Sequence, residues 1–316
     1  MHPDISIVIP LYNEEESLPE LAAWIDKVCK EHQYVYEVIL IDDGSTDNSW
    51  EVVEKLTEQY PEVKGIRFQR NYGKSAAMNE GFKAAEGKVV ITMDADLQDS
   101  PDEIPELYQM ITEGGYDLVS GWKKIRYDNT FTKNIPSKLY NGVNRMVSGI
   151  KLHDMNCGLK AYKKNVVKSV EVYGEMHRFI PVLAKWAGFR KIGEKVVQHR
   201  ARKYGISKFG WERFINGFLD MLTVQFMGRF GKKPMHFFGT WGMVVFLLGF
   251  AITIYMVIMK LILQDAYGLT NRPPFYLALT AMIIGTMFFL TGFLAELVSR
   301  SAADRNHYLI RKKIRL

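Results

Sequence analysis

Asp94, Asp96 and Gln98 close an apolar run, Val89-Val90-Ile91-Thr92-Met93, with two carboxylates and an amide at alternate positions. A run this apolar suits a strand buried on both faces of a parallel sheet, and ligands of open α/β sheets bind where such strands end. Alternate residues of an extended segment project the same way, so the three side chains can converge on one point. Converging hard oxygen donors suit Mg²⁺ or Mn²⁺ shared with a substrate phosphate. The plainer alternative is a loop of helix-capping acids, since Asp99-Ser100-Pro101 could begin a helix.

Two other segments offer chemistry of the same kind. Pro10-Leu11-Tyr12-Asn13-Glu14 follows the strand-like Ile5–Pro10, and Asp42-Asp43-Gly44-Ser45 follows Glu37–Ile41. Adjacent parallel strands open into one crevice. Tyr12 could there stack on a base, and Asp42 or Asp43 could accept a base N–H or a ribose hydroxyl. Each taken singly is equally a surface tyrosine or a turn; with the acidic pair they point to a nucleotide site. Arg70-Asn71-Tyr72-Gly73-Lys74 adds positive charge and a turn beside it. Gly73-Lys74-Ser75 is not the end of a P-loop, because the leading glycine would fall on Phe68, and no Gly-x-Gly-x-x-Gly follows a strand.

The elements that must position these residues alternate. Strand patterns at Ile5–Pro10, Glu37–Ile41, Gly65–Gln69 and Lys88–Met93 are separated by helical patterns at Ser17–His32, Thr46–Gln59 and Lys74–Ala85. That alternation predicts an α/β fold with a doubly wound, mostly parallel sheet. Ser17 with Glu20 reads as a capping box, and Thr46 or Asp47 as the cap of the second helix.

The chain has 316 residues, two cysteines (Cys29 and Cys157), and 41 basic against 35 acidic residues, for a charge of +6. Two cysteines cannot form a disulfide framework, which fits a reducing compartment. No signal peptide is expected, because Met1–Asp4 lead straight into the first strand. Phe237–Met259 and Pro273–Ala295 contain no charge, and at about 1.5 Å per residue each could cross a hydrocarbon core of about 30 Å. Arg229, Lys232 and Lys233 precede the first stretch. Arg300, Arg305, Arg311, Lys312, Lys313 and Arg315 follow the second. The positive-inside rule then places both termini and the N-terminal domain in the cytoplasm, at the inner (plasma) membrane.

Together, Ile9-Pro10-Leu11-Tyr12-Asn13-Glu14, Asp42-Asp43-Gly44-Ser45-Thr46-Asp47, Arg70-Asn71-Tyr72-Gly73-Lys74 and Asp94-Ala95-Asp96-Leu97-Gln98 resemble family 2 inverting glycosyltransferases. Gly205-Ile206-Ser207-Lys208 and the paired spans narrow the resemblance to polyprenyl-phosphate glycosyltransferases, similar to bactoprenol glucosyltransferases and dolichyl-phosphate mannose synthases. The resemblance implies a GT-A fold, a nucleotide-sugar donor, a divalent cation and a lipid-phosphate acceptor. Carried over by motif, Pro10, Tyr12, Glu14 and one of Asp42 or Asp43 hold the nucleoside, with Lys74 beside it. Asp94, Asp96 and Gln98 take the metal and diphosphate. Asp154 occupies the family's general-base position and, with Asp96, is the catalytic candidate. Processive polysaccharide synthases carry Gln-x-x-Arg-Trp, whereas Gln225–Phe230 reads Gln-Phe-Met-Gly-Arg-Phe, so transfer of one sugar is expected.

An anionic acceptor meeting an anionic donor requires cations. Lys123, Arg126 and Lys138 suit the acceptor phosphate; their alternative is a solvated basic face or attraction to anionic headgroups. His199–Lys208 reads as a loop closing over the diphosphate, with Arg202, Ser207 and Lys208 its chief residues. Apolar stripes at Ile135, Leu139, Val143, Met146 and Val147, and at Trp211, Phe214, Ile215, Phe218, Leu222 and Phe226, read as interfacial docking helices. The expected organisation is a catalytic domain over 1–208, an interfacial region over 209–234, two spans over 235–298 and a basic tail over 299–316. The expected reaction uses a UDP-sugar, with GDP-mannose transfer or an Asp-x-Asp phosphohydrolase as alternatives. The expected assembly is a homo-oligomer, a tetramer being one option. Nucleic acid is not an expected partner, for nothing resembles a groove-reading element.

Overall fold

In the computed structural model, residues 2–124, 149–200, 234–263, 268–301 and 310–315 are described, with 203, 223 and 226 between them. The chain divides into two compact units, Met1–Val224 with Asn306–Leu316, and Gln225–Arg305.

The first unit is built on an eight-stranded sheet of order β7-β5-β6-β4-β1-β2-β3-β8. Its centre alternates as the sequence predicts: β1 (Ile5–Leu11), α1 (Leu18–Glu31), β2 (Tyr36–Asp42), α2 (Ser49–Gln59), β3 (Val63–Phe68), α3 (Lys74–Ala84) and β4 (Val89–Thr92). β1, β2, β3 and β4 are parallel, with Ile5 opposite Tyr36 and Val89, and Val38 opposite Val63. Apart from Pro10, every residue of β1 is buried, as are all of β2 and β4. This is the near-continuous apolar reading of strands covered on both faces. α4 (Ile104–Thr112), β5 (Leu118–Trp122), β6 (Lys160–Lys163), α5 (Lys164–Ser169), α6 (Ile180–Trp186) and β7 (Ile192–Val196) complete the domain. β6 runs antiparallel to β4 and β5, while β7 is parallel to β5.

Two local expectations change. Ser17 does not form a capping box with Glu20. Its own backbone is already helical (φ −86°, ψ −29°), and its hydroxyl turns back to donate to the Glu14 carbonyl and carboxylate, both at 3.1 Å. At α2, Asn48 occupies the cap position while the Asp47 carboxylate accepts the Ser49 N–H at 3.0 Å.

The segment read as a basic tail ends instead in a strand, β8 (Ile310–Ile314), antiparallel to β3 with Gly65 opposite Ile314. Isoleucines at its two ends bracket Arg311, Lys312 and Lys313, and Ile314 packs against the main core. Charged residues on an edge strand discourage further pairing. Ile314→Asp is expected to lower stability by about 1–2 kcal/mol through a half-buried charge. An unchanged denaturation midpoint would show that β8 contributes nothing to the sheet.

The second unit is a helical pair, α7 (Pro234–Leu263) and α8 (Pro273–Ser301), with mean hydropathies of 2.4 and 2.1 over their apolar stretches. Glycines let the helices approach: a Cβ on Gly242 would lie 2.6 Å from the Gly285 carbonyl oxygen, and the reverse holds equally. Such small-residue contacts are typical where helices associate by close packing rather than by excluding water. Large apolar side chains face outward, Leu261 being 73% and Leu277 71% exposed.

Candidate functional site

The loops after β1 and β2 are stitched to each other. Asn13, in the left-handed region at φ 56°, donates its N–H to Ser45 Oγ at 2.9 Å and accepts the Thr46 N–H at 2.9 Å. The Glu14 N–H reaches Ser49 Oγ at 2.8 Å. Pro10, Tyr12 and Glu14 are half-buried along this rim, where the sequence placed the nucleoside.

Asp42 and Asp43 act inward. Asp42, fully buried, accepts the Ser45 N–H at 2.8 Å and faces Arg67 Nε at 3.5 Å. Asp43 accepts the N–H groups of Tyr72 and Gly73, at 2.7 and 2.9 Å, one on each oxygen, and so holds the Arg70–Lys74 turn. Gly44 (φ 72°) makes this possible, since a Cβ there would lie 2.8 Å from Arg70 Cα and Asn71 N.

Burial pushes Asp43 up to about 6, against the two N–H groups that favour its charged form. A raised carboxyl pKa means that the folded state binds the proton more tightly than the unfolded chain. Its stabilising contribution is full below about pH 4 and is lost as pH rises through about 6. Asp43→Asn is expected to flatten stability across that window. An undiminished slope in denaturation midpoints would exclude Asp43 as its source.

β4 ends at Thr92, and Asp94–Gln98 form a turn in which Leu97 adopts φ +60°. Alternation along an extended strand is therefore not what relates Asp94, Asp96 and Gln98; a turn lies between them. Asp94 lies on the cleft, its side chain 30% exposed and paired with the Lys74 ammonium. Burial opposes its charge, yet Lys74, Lys123 and Lys160 together hold it well below the usual carboxylate range. Asp96 is 7% exposed, with Oδ1 accepting the Gln98 N–H at 3.2 Å. Gln98 is half-buried, and its carbonyl accepts the Arg200 N–H at 3.0 Å.

The residues present fit a divalent cation completed by substrate oxygens. Asp94 is ionised, its carboxylate already attracts a cation, and the space beside it is kept by Gly158, whose Cβ would lie 2.6 Å from Asp94 Cγ. Among the described residues no group of three or more His, Cys, Asp or Glu side chains is placed to hold a metal ion.

Asp154 lies deeper, 1% exposed. Its N–H donates to Glu194 at 3.1 Å, and its own Oδ1 accepts the Asn156 N–H at 3.2 Å. Glu194 also binds His153 Nδ1 at 2.7 Å, and the His153 ring stacks on Trp122 with centroids 4.1 Å apart.

A small cleft opens beside Asp94, lined by Pro10, Lys74, Asn156, Gly158, Lys160, His177 and Arg178 among others. The last three were not anticipated. Lys160 donates to the Cys157 carbonyl, and burial pushes its ammonium below the usual lysine range. The available signal was a lysine inside the otherwise apolar Leu159-Lys160-Ala161-Tyr162. His177 shares a 2.9 Å hydrogen bond between Nδ1 and Ser75 Oγ, and Arg178 donates to Glu175 at 3.0 Å.

Lys123, expected at the acceptor phosphate, is instead held by the fully buried Asp99 at 2.6 Å. Burial alone would lower its pKa, but Asp99 raises it above the usual lysine range. Arg126, Lys138, Arg202, Ser207 and Lys208 lie outside the described residues, as do both apolar stripes except Phe226. The start of the basic segment is pinned: Arg200 stacks over Trp24 at 4.1 Å, and Lys203 pairs with Glu20 at 2.6 Å.

Residues 6–170 match the model of glycosyl transferase family 2. The chain is 36% identical over 300 residues to the dodecaprenyl-phosphate galacturonate synthase of Rhizobium johnstonii, covering 94% of this chain and 88% of the relative. It is 36% identical over 314 residues to the undecaprenyl-phosphate 4-deoxy-4-formamido-L-arabinose transferase of Proteus mirabilis, covering 98% and 94% respectively. The fold is similar to that of glucosyl-3-phosphoglycerate synthase from Mycobacterium tuberculosis, solved in complex with Mn²⁺, UDP and glucosyl-3-phosphoglycerate. That likeness has a TM-score of 0.54 at 17% identity, over 72% of this chain and 80% of the other.

Proposed function

The chain belongs to glycosyl transferase family 2, and from that membership we propose that it transfers one sugar from a nucleotide sugar to a polyprenyl phosphate at the cytoplasmic membrane face. What carries this reading is Asp94, an ionised carboxylate in a cation-lined cleft, within a chain that aligns along nearly its whole length with two polyprenyl-phosphate sugar enzymes. The hydrolase alternative has no such support.

In this reading the nucleoside lies along Tyr12 and Glu14. Asp43 acts through the Arg70–Lys74 turn, which it fixes by two backbone bonds, and so sets where Lys74 stands. Lys74, paired with Asp94, supplies positive charge beside the diphosphate. A Mg²⁺ or Mn²⁺ held by Asp94 and Asp96, with Gln98 nearby, would neutralise charge growing on the departing diphosphate. The acceptor phosphate oxygen forms the new bond to the anomeric carbon on the face opposite the breaking bond to the diphosphate, inverting configuration. A phosphate monoester is largely dianionic at pH 7, with a second pKa of about 6, and needs little deprotonation. Asp154, buried and tied to Asn156, then serves to position the wall of the cleft and the charge of Lys160 more than to take a proton.

The hydropathy of α7 and α8 supports two crossings, and an even number of crossings returns both ends of the pair to one side. Flanking arginines and lysines favour the cytoplasm for that side. The donor nucleoside is proposed to be uridine, and the assembly a homo-oligomer. The relatives differ in their sugars, one being named for galacturonate and the other for 4-deoxy-4-formamido-L-arabinose, so kinship leaves the sugar open.

Purified full-length protein with Mg²⁺ or Mn²⁺, polyprenyl phosphate and a panel of UDP- and GDP-sugars is expected to release nucleoside diphosphate and form a lipid-linked sugar. Chelation should stop the reaction and either cation restore it. Failure of every donor to react would overturn the reading, and undiminished turnover in chelator would remove the cation from it.

A further inference from the structure

The loop that leads into β6 carries Asp154, Asn156 and Gly158, and two strands outside the cleft grip it. Among the described residues lining the cleft, none belongs to β5 or β7. In the pairing of those strands Ser120 stands opposite Glu194. Their side chains take the two ends of a single residue. The Ser120 hydroxyl donates to the Asp154 carbonyl at 3.3 Å, and Glu194 Oε1 accepts the Asp154 N–H at 3.1 Å. The same oxygen accepts the His153 N–H at 2.7 Å, while Oε2 accepts from His153 Nδ1 at 2.7 Å. Trp122, at the end of β5, backs the grip by stacking on the His153 ring.

The loop comes this close because β5 is small where it passes. Ser120 is fully buried, and a Cβ on Gly121 would lie 2.8 Å from Cys157 Sγ and 3.0 Å from the Leu159 carbonyl oxygen. The loop's core contacts come from Leu152 and Met155, each 1% exposed. Apolar packing of that kind keeps the loop folded but is not directional, so it does not orient the peptide between them. The Glu194 carboxylate does orient it, by accepting from two adjacent residues at three donors. Hydrogen bonds are angle-dependent, and those to a charged acceptor are roughly twice as strong as neutral ones. From that peptide the chain runs on to Asn156, whose N–H is taken by Asp154 Oδ1, and to Gly158, which stands against Asp94. Both line the cleft.

We propose that Glu194 is a positioning residue for the transfer. Through the backbone of His153 and Asp154 it sets where the Asn156–Gly158 wall stands against Asp94, and it touches neither donor nor acceptor. The proposal rests on the transferase reading above and adds to it a residue outside the cleft. Glu194 then acts on alignment and not on nucleoside binding, whose loops follow β1 and β2. What it supplies is reach and two acceptor atoms rather than charge.

The test uses full-length protein with Mg²⁺, polyprenyl phosphate and whichever of the UDP- and GDP-sugars it turns over fastest. Binding of the matching nucleoside diphosphate is measured on the same preparations. Glu194→Ala is expected to lower kcat by about thirtyfold, the scale of a misplacement of somewhat under about 1 Å. Donor KM and nucleoside diphosphate affinity should stay within about threefold of wild type. Glu194→Gln keeps the reach: its carbonyl can accept both backbone N–H groups, and its amide can donate to the other His153 tautomer. It should retain kcat within about fivefold of wild type, whereas Glu194→Asp, charged but one methylene short, should lose about tenfold. Turnover of Glu194→Ala within about threefold of wild type would overturn the proposal. So would a loss confined to KM or nucleotide affinity, or Glu194→Asp retaining more activity than Glu194→Gln. The Gln and Asp variants decide the matter even if the Ala variant does not fold. No transfer by the wild-type protein from any donor would bring down the transferase reading and this proposal with it.

Discussion

Asp94→Asn is expected to lower turnover by about a thousandfold or more while the protein stays folded, the scale of losing a principal electrostatic contact to a leaving group. The two halves of the expectation have separate causes. Activity falls because the amide removes the charge that three lysines keep ionised, and with it the donor for a cation beside the diphosphate. Stability holds because the Lys74–Asp94 pair is about one-third exposed on both sides. Such a pair contributes little to folding, on the order of 1 kcal/mol or less. Nucleoside diphosphate release and a thermal midpoint measured on the same preparation check both. Turnover within about tenfold of wild type would remove Asp94 from the centre of the reaction.

Gly158→Ala is expected to cost nearly as much, from a residue with no functional group. A Cβ at position 158 would lie 2.6 Å from Asp94 Cγ and 2.7 Å from Oδ1. The glycine cannot easily withdraw, because its carbonyl accepts the Thr92 hydroxyl at 2.8 Å from the end of β4. The carboxylate must therefore swing away. We expect about a hundredfold loss in kcat, since small misplacements of reacting groups cost on that scale, with about 1–3 kcal/mol of overpacking strain. The signature is inactivity out of proportion to destabilisation. Near wild-type turnover would mean that Asp94 tolerates relocation, and the cation site would have to be sought elsewhere.

The α/β alternation was legible because β1, β2 and β4 are apolar enough to announce burial on both faces, and turns of Asn, Asp, Gly and Ser punctuate them. Asp94 and Asp96 were legible as an acidic pair at a strand end. Their geometry was not, since Leu97 at φ +60° is a tertiary outcome that no local preference of leucine predicts. Asp42 and Asp43 were legible as acids at a strand end, but not the backbone N–H groups they accept, which come from a turn close to them only in the fold. Lys123 was legible as a cation after the acidic motif, but not its pairing with Asp99, twenty-four residues away and buried only in the folded sheet. His177 and Arg178 carried no motif. What brings them to Asp94 is the contact of the Met176–Phe179 turn with the start of α3, fixed by Ser75, and that contact spans about a hundred residues.

The C-terminal strand also sets an order of events. β3 is complete early in synthesis, yet its outer edge is covered by residues made only after both long helices. Until then the nascent domain carries an open edge, the kind of surface on which strands from other chains can pair. The helical pair is made in the interval, so the enzyme closes its sheet only after both long apolar helices exist. A chain stopped short in the second helix is thus left unfinished at the opposite end of its sequence, which couples completion of the sheet to completion of the helical pair.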